Sequence, residues 1–280
     1  MEKDKQNPLS GYFRQFKLYM KLPSGTAYYK PDQVKFTDTN EVGIMAMTGR
    51  DELILKNPDA LLNGEAVIEV IKSCVPAISD PKILLTNDID ALITAVRMST
   101  YDDALETEIK CPQCGHDNLF KLDLQYALDN MSYLEPEYVV NLDSGLSVFL
   151  KPYGFPEFLK GMHSQFEHSK IVRTIENQNL TDEQRLKEFS KAFKQIANTT
   201  YELILSSIIK VVDESKGIDV KDKEFIKEFL ANIEKHDADK IGDMIKEINK
   251  IGVKRTFTAR CEKCQHQWES DIDFNPVNFS

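Results

Sequence analysis

Four of the five cysteines fall in two pairs, Cys111-Pro112-Gln113-Cys114 and Cys261-Glu262-Lys263-Cys264. Each pair sits inside the same short repeat. Residues 108–121 read as a strand, Cys-x2-Cys, a polar pair ending in His116, and a second strand, and residues 258–269 repeat the pattern around His266. A strand that enters and leaves a Cys-x2-Cys turn is a knuckle. The tight turn aims both sulfurs at one point, and backbone N–H groups inside it can hydrogen-bond the thiolates. Two knuckles supply a tetrahedral set, and a closed four-thiolate set leaves no position for water or substrate. The spacing therefore predicts one structural Zn²⁺ held by Cys111, Cys114, Cys261 and Cys264, with no catalysis at the metal.

The pairs are far apart in sequence, since residues 115–260 lie between them. A simple ribbon has about 15–20 residues there. Loop-closure entropy rises only with the logarithm of length, so a folded excursion whose ends meet is tolerated. Zinc would fasten those ends, and replacing Cys261 by Ser is expected to release metal and loosen the excursion. Two other readings fit a Cys-x2-Cys pair. A redox dithiol wants its Cys-x2-Cys at a helix N-terminus after a βαβ strand, and here both pairs lie between strands. Unligated reduced thiols are the other. Cys74, beside Val75 on an apolar helix face, reads as a buried small hydrophobe.

Little else has the spacing of a reactive centre. His116 and His266 follow their knuckles by two residues and could substitute as ligands, but with four thiolates available they read as outer partners or surface residues. His163, His168 and His236 lie in polar helical sequence and read as solvated. There is no Gly-x-Gly-x-x-Gly, phosphate-binding Gly-Lys-Ser/Thr loop, Gly-x-Ser-x-Gly or His-Glu-x-x-His. Asp51-Glu52 and Asp102-Asp103 are adjacent carboxylates of the kind that cap helices or face solvent. No catalytic or organic-cofactor residues are assigned, and the chain is not expected to be an enzyme.

The 280 residues carry 35 Lys+Arg against 45 Asp+Glu, a formal charge of −10. That balance repels phosphate backbones unless one face is locally basic. Around the knuckles Lys110, Lys121, Lys254, Arg255, Arg260 and Lys263 alternate with Glu106, Glu108, Asp117, Asp123, Glu262 and Glu269. A zinc-ribbon nucleic-acid-binding factor remains the alternative that a ribbon alone permits. The N-terminus is polar without the apolar stretch of a secretory signal, and no run of about 18 apolar residues suggests a membrane span. The protein is expected to stay where it is made, or to be built into something there.

The elements that must position the cysteines read as α+β. Phe16, Leu18 and Met20 alternate with polar residues, and Val34–Phe36 and Val42–Met47 are further strand candidates. Asn63 can cap a helix carrying Val67, Ile68, Ile71 and Val75, and Asn87 or Asp88 can cap one carrying Ile89, Leu92, Ile93 and Val96. Tyr138–Leu142 and Leu146–Leu150 flank Asp143-Ser144-Gly145 as a hairpin with a three-residue loop. From Phe158 to Ile251 the pattern predicts three to five helices, with a capping box at Thr181-x-x-Gln184 and a helical repeat Leu203, Ile204, Ser207, Ile208, Val211. The expected organisation is an N-terminal α+β domain (1–105), a split four-cysteine zinc ribbon of two β-hairpin knuckles (106–126 plus 254–280), and between them a β-hairpin and large, mostly helical insertion domain (127–253).

Taken in order, Leu22-Pro23-Ser24-Gly25 with Tyr28-Tyr29, Met47-Thr48-Gly49-Arg50-Asp51-Glu52-Leu53, Asn57-Pro58-Asp59-Ala60-Leu61-Leu62-Asn63-Gly64, Asp88, Arg97 with Ser99-Thr100-Tyr101, and the Cys111 knuckle resemble the baseplate hub and hub-assembly proteins of T-even-type contractile-tailed bacteriophages. The likeness covers about residues 12–160 by motif, and the remainder only by helical character and the second knuckle. It implies a non-enzymatic structural or assembly protein of a contractile tail baseplate, a hub component or hub assembly factor. Other baseplate, hub or tail proteins would be its partners, with no small-molecule substrate, nucleic acid or membrane. It would be found in the host cytoplasm during assembly, whether it then stays in the virion tail or leaves as an assembly factor. Within this segment Arg50, Asp51, Glu52 and Arg97 are candidates for structure or contact, against helix capping and internal ion pairs. Tyr28, Tyr29, Tyr101 and Trp268 are candidate interface anchors, against core packing.

Overall fold

The computed structural model describes residues 7–57, 60, 64–157, 159–161, 163–164 and 181–272. Asn63, His168 and much of the Asn57–Gly64 motif lie outside these residues.

Alternation of apolar and polar residues makes β1 (Phe16–Met20) pair antiparallel with β2 (Val42–Met45). The expected strand at Val34–Phe36 does not form; Val34 makes a single bridge to Ile78. Its partner there is the turn after a helix, which is too short to continue a ladder. Nor does β2 reach Met47. The Met47 amide donates to Thr100 Oγ1 (2.9 Å), and the chain turns at Thr48 into α1 (Gly49–Leu55). There Thr48 and Asp51 cap each other reciprocally, satisfying two amides that a helix start leaves unpaired.

Two longer helices follow, α2 (Glu65–Cys74) and α3 (Thr86–Thr100). Gly64 caps α2 in the left-handed region at φ 75°, and Val75, just past its end, is the C-cap, its amide donating to the Ile71 carbonyl. Neither Asn87 nor Asp88 caps α3. Leu85 occupies the cap position, and both polar side chains are buried in the first turn. They serve other segments, as described below. Ile44, Val67, Ile71, Leu92 and Val96 are at the centre of a first core, joined from beyond the first knuckle by Ala127, Leu128, Phe155 and Val253.

Next come the first cysteine hairpin, β3 (Ala104–Lys110) and β4 (Asp117–Asp123), then the short α4 (Leu124–Asp129), capped by Asp123. The hairpin β5 (Tyr138–Asn141) and β6 (Ser147–Leu150) turns through residues 143–145, with Gly145 at φ 84°. Thr181 and Gln184 form the expected capping box on α5 (Asp182–Ser207).

The apolar repeat read as helical through Val211 is instead broken after Ser207. Ile208 and Val211 belong to β7 (Ile208–Asp213), which pairs with β6 and with β8 (Ile218–Val220) in a four-stranded antiparallel sheet, order β5-β6-β7-β8. The run Ile208-Ile209-Lys210-Val211-Val212 is β-branched and ends in a turn with Gly217 at φ 66°, so strand chemistry overrides the helical spacing. Two helices, α6 (Lys223–Asn232) and α7 (Lys235–Lys250), cover this sheet. Ile241, Ile245 and Ile248 form the apolar stripe of α7 and pack with Val148, Leu150, Ile208 and Ile226 in a second core. The chain then returns to the second cysteine hairpin, β9 (Thr256–Arg260) and β10 (Gln267–Asp271).

Candidate metal centre

The two cysteine hairpins have the same backbone. In each, the amide of the first cysteine donates to the carbonyl of the histidine five residues on, Cys111 to His116 and Cys261 to His266, both at 2.9 Å. In each, the residue after the second cysteine returns its amide to the first cysteine's carbonyl, Gly115 at 2.9 Å and Gln265 at 3.0 Å. That residue must adopt a left-handed conformation, φ 67° for Gly115 and 61° for Gln265. Glycine does so freely; glutamine pays a steric cost of about 1 kcal/mol. The second copy is therefore the more strained of the two.

These turns bring all four Sγ atoms within 4.8 Å of one another. Cys111 to Cys264 is 3.7 Å and Cys114 to Cys261 is 3.6 Å, both between hairpins. For a tetrahedral ion with metal–sulfur bonds of about 2.3 Å the ligand–ligand edge is about 3.8 Å. The donor set, its separations and its four-fold convergence fit a metal ion. Cys111 and Cys261 are buried, and Cys114 and Cys264 are exposed.

Ionisation is shared across the cluster. Burial opposes the Cys261 thiolate, but the amides of Cys264 and Lys263 and the thiol of Cys114 outweigh it and pull the pKa down to about 6. At Cys264 the His266 amide favours the thiolate, yet partial loss of solvent at the sulfur and the neighbouring Cys114, Cys261 and Cys111 sulfurs push it up to about 12. One thiol ionises easily, and a further charge beside it does not. A cation at the centre would remove that conflict.

Contacts outside the sulfurs lock the hairpins together. The buried Asn118 accepts from the Glu262 amide (2.9 Å) and donates to the His116 carbonyl (2.9 Å). Trp268 occupies the matching position of the second copy, and its ring stacks with His266 at 5.9 Å and meets Phe120 edge-on at 6.1 Å. Phe120 also meets Phe257 at 5.3 Å, above a small core of Leu105, Leu122 and Leu124. The departure of the repeat at Asn118 and Trp268 was the signal for this asymmetric junction. Lys110 faces Asp117 at 3.8 Å, within the first hairpin.

The remaining expected residues are apart from this cluster. Asp51 is buried, completes the α1 cap and accepts from Arg14 (3.3 Å). Arg14 also donates to the carbonyls of Ala46 and Ser73, both at 2.6 Å, a junction that sequence spacing gave no means to find. Glu52 pairs with Lys56 at 2.9 Å, and Arg50 is exposed. Arg97 is buried, donates to the Asp102 carbonyl (3.3 Å) and lies 5.7 Å from the Tyr101 ring. Tyr28 donates to the Glu135 carbonyl at 2.6 Å. Tyr29 donates to Asp88 and accepts from the Leu85 amide, while Asp88 also accepts from the Ser24 amide at 2.9 Å. Burial raises Asp88 to about 6, against those two hydrogen bonds. His236 lies 3.3 Å from Asp143 at the tip of the β5–β6 turn. Among the described residues no helix is long and apolar enough to cross a membrane.

Known proteins bear on this arrangement at the level of family. No curated protein and no solved structure matches the chain. The family model described as the T4 bacteriophage base plate protein matches residues 14–279, a span that includes both cysteine hairpins and everything between them. The chain belongs to the T4 bacteriophage base plate protein family.

Proposed function

We propose that this protein is a non-enzymatic structural or assembly component of a contractile phage tail baseplate, a hub constituent or hub assembly factor. It would be made in the host cytoplasm and act through protein–protein contacts with other tail proteins. The family match over residues 14–279 supports this role. In this reading Cys111, Cys114, Cys261 and Cys264 hold one Zn²⁺ in a split ribbon, and the segment between the hairpins is an inserted domain. The convergence of four sulfurs to within 4.8 Å supports it. Zinc so held is structural: it neutralises the thiolates and ties the two hairpins, with no position left for substrate. The domain limits 1–105, 106–126 with 254–280, and 127–253 belong to the same proposal.

Two measurements test it. Metal analysis of the purified chain should give close to one equivalent of zinc, lost in Cys261→Ser together with thermal stability; full metal in that variant would refute the site. Tagged protein recovered from infected cells should carry tail proteins, identified by mass spectrometry in tails or in their soluble precursors. Absence from both would refute the baseplate role. Tight, steeply salt-dependent binding to DNA or RNA would favour the zinc-ribbon nucleic-acid alternative. The charge of −10 and the Lys110–Asp117 pair argue against that outcome.

A further inference from the structure

The four sulfurs are not equivalent. In each hairpin the first cysteine is buried, Cys111 at 2% and Cys261 at 0% exposure, and the second, Cys114 or Cys264, is exposed. The two sulfur–sulfur contacts with hydrogen-bond geometry both run between the hairpins, Cys111 to Cys264 at 3.7 Å and Cys114 to Cys261 at 3.6 Å. Each contact therefore joins an accessible sulfur of one hairpin to a sheltered sulfur of the other. That is the arrangement of an attacked thiol beside a resolving thiol, and it occurs twice. To reach the roughly 2.05 Å of a disulfide, each pair must close by about 1.6 Å. Both turns are already fixed by the Gly115 and Gln265 amides on the Cys111 and Cys261 carbonyls, so side-chain rotation makes that approach.

We propose that the cluster is an oxidisable clasp, which a peroxide converts from a four-thiolate cation site into two disulfides that bridge the hairpins, Cys111–Cys264 and Cys114–Cys261. In each pair one peroxide transfers an oxygen atom to the exposed sulfur, forming a sulfenic acid and releasing its other oxygen as water. The sheltered sulfur of the opposite hairpin then displaces the transferred oxygen as a second water, and the S–S bond forms. Two thiolates, one peroxide and two protons from solvent thus give one disulfide and two waters, and the peroxide takes up the two electrons that the sulfurs lose. Conversion of both pairs removes the four thiolate charges that would hold a cation, so the ion leaves. The hairpins stay tied. The linked cysteines are 153 and 147 positions apart, and a cross-link that closes so long a loop restricts the unfolded chain far more than one inside Cys-x2-Cys. A dithiol that formed its bond inside one pair would leave the hairpins unfastened. The reducing interior of a cell maintains the thiolate form, and an oxidising exterior the disulfide form. The inference goes beyond the baseplate role and rests on the placement of the sulfurs, not on which ion they hold.

The test uses the full chain, once as purified and once stripped with a chelator, treated with hydrogen peroxide and then alkylated in denaturant. Thiol titration should fall from five groups to one, the fully buried Cys74. Trypsin cuts after Lys110, Lys121, Arg260 and Lys263, so peptides 111–121, 261–263 and 264–280 carry the cysteines of the cluster. Without reductant, cross-hairpin bonds join all three in one species, and fragmentation between Cys111 and Cys114 should place Cys264 on the former and Cys261 on the latter. The oxidised chain should melt at least about 5 °C above the reduced, chelator-treated chain. Bonds inside the pairs, which leave 111–121 unlinked, overturn the proposal. So do the opposite cross-pairing, sulfinic acids in place of disulfides, or melting no higher than that of the reduced metal-free chain. Metal release, followed with a chromogenic chelator, keeps this separate from the zinc reading. A chain that holds no zinc yet gives the cross-hairpin disulfides refutes the ion and upholds the pairing; a zinc-loaded chain that gives disulfides inside the pairs does the reverse.

Discussion

Asn87 makes a strong prediction because one side chain secures the end of a distant helix. Its amide nitrogen donates to the carbonyls of Ile248 (3.0 Å) and Ile251 (2.7 Å), at the C-terminus of α7, where carbonyls lack partners within the helix. The residue is 2% exposed, so water cannot replace those bonds without local opening. Asn87→Ala removes two hydrogen bonds worth about 1 kcal/mol each and strands the Ile251 carbonyl, while the Ile248 carbonyl keeps the Ile251 amide at 3.3 Å. The loss is partly offset because Asn87 Oδ1 has no hydrogen-bond partner and disappears with the side chain. The net cost is about 2–3 kcal/mol. Asn87→Asp is nearly the same size and should be worse at neutral pH: it places a carboxylate against two carbonyls at the negative end of α7, or must bind a proton to avoid it. Urea unfolding of the full chain, with hydrogen exchange of the last turn of α7, should give the order wild type, Ala, Asp at pH 7, and the Asp variant should recover toward Ala as pH falls. Equal stability of Asp and Ala at pH 7, or an Ala variant within about 0.5 kcal/mol of wild type, would refute the reasoning.

Three further outcomes follow from the geometry. Gln265→Gly should stabilise the second knuckle by up to about 1 kcal/mol and Gly115→Ala should cost a similar amount, since an added Cβ at Gly115 meets nothing within 4 Å and only backbone strain is at stake; metal-loaded melting temperatures read both. Gly64→Ala combines φ 75° with a Cβ 2.1 Å from Leu159 Cδ2 and should lose about 2–4 kcal/mol in denaturant titrations. Asp88 rises from 3.8 to about 6 on folding, so the native state holds its proton more tightly than the unfolded chain. Its favourable contribution is complete below about pH 4 and is lost as pH climbs through about 6, a change on the order of 3 kcal/mol that a comparison of wild type with Asp88→Asn across that window isolates; parallel stability profiles would contradict it.

What the sequence made legible was local. The Thr181 box, the 143–145 turn, the strand at Phe16 and the paired cysteines each have their signal within a few residues, and the cysteines converge because their turns are short and repeated. Asn87 and Asp88 show the limit of such reading. Both have the chemistry of an N-cap, but the partners that recruit them, Ile248 and Tyr29, lie 161 and 59 positions away. The β7 strand was lost for a related reason. Ile208 and Val211 fit a helical period over four residues, and only pairing with Val148 and its neighbours decides in favour of a strand. Arg14 had no visible motif, since its acceptors are two carbonyls and a helix cap from three separate segments.

These long-range contacts converge on α3. Thr86 bonds the Tyr153 carbonyl (2.8 Å), Asn87 holds the end of α7, Asp88 holds Ser24 and Tyr29, Asp90 pairs with Arg255, and Thr100 holds the Met47 amide. Asn87 and Asp90 are one turn apart and grip the returning chain between residue 248 and residue 255, just before it enters β9. The approach to the second knuckle is therefore held by contacts with the protein core that need no ion. With a metal bound as proposed, two fasteners of different chemistry would act in series on the same stretch, and they can be separated. Removing metal should release hydrogen-exchange protection first in β9 and β10 while α7 stays protected. Removing the Asn87 amide should expose the end of α7 and, by freeing the approach of the second cysteine pair, weaken metal affinity from a distance of two elements. If Asn87→Ala left metal affinity untouched, the clip and the clasp would be independent, and positioning of the second hairpin would have to come from the Phe120, Phe257 and Trp268 ring cluster and Asn118 alone.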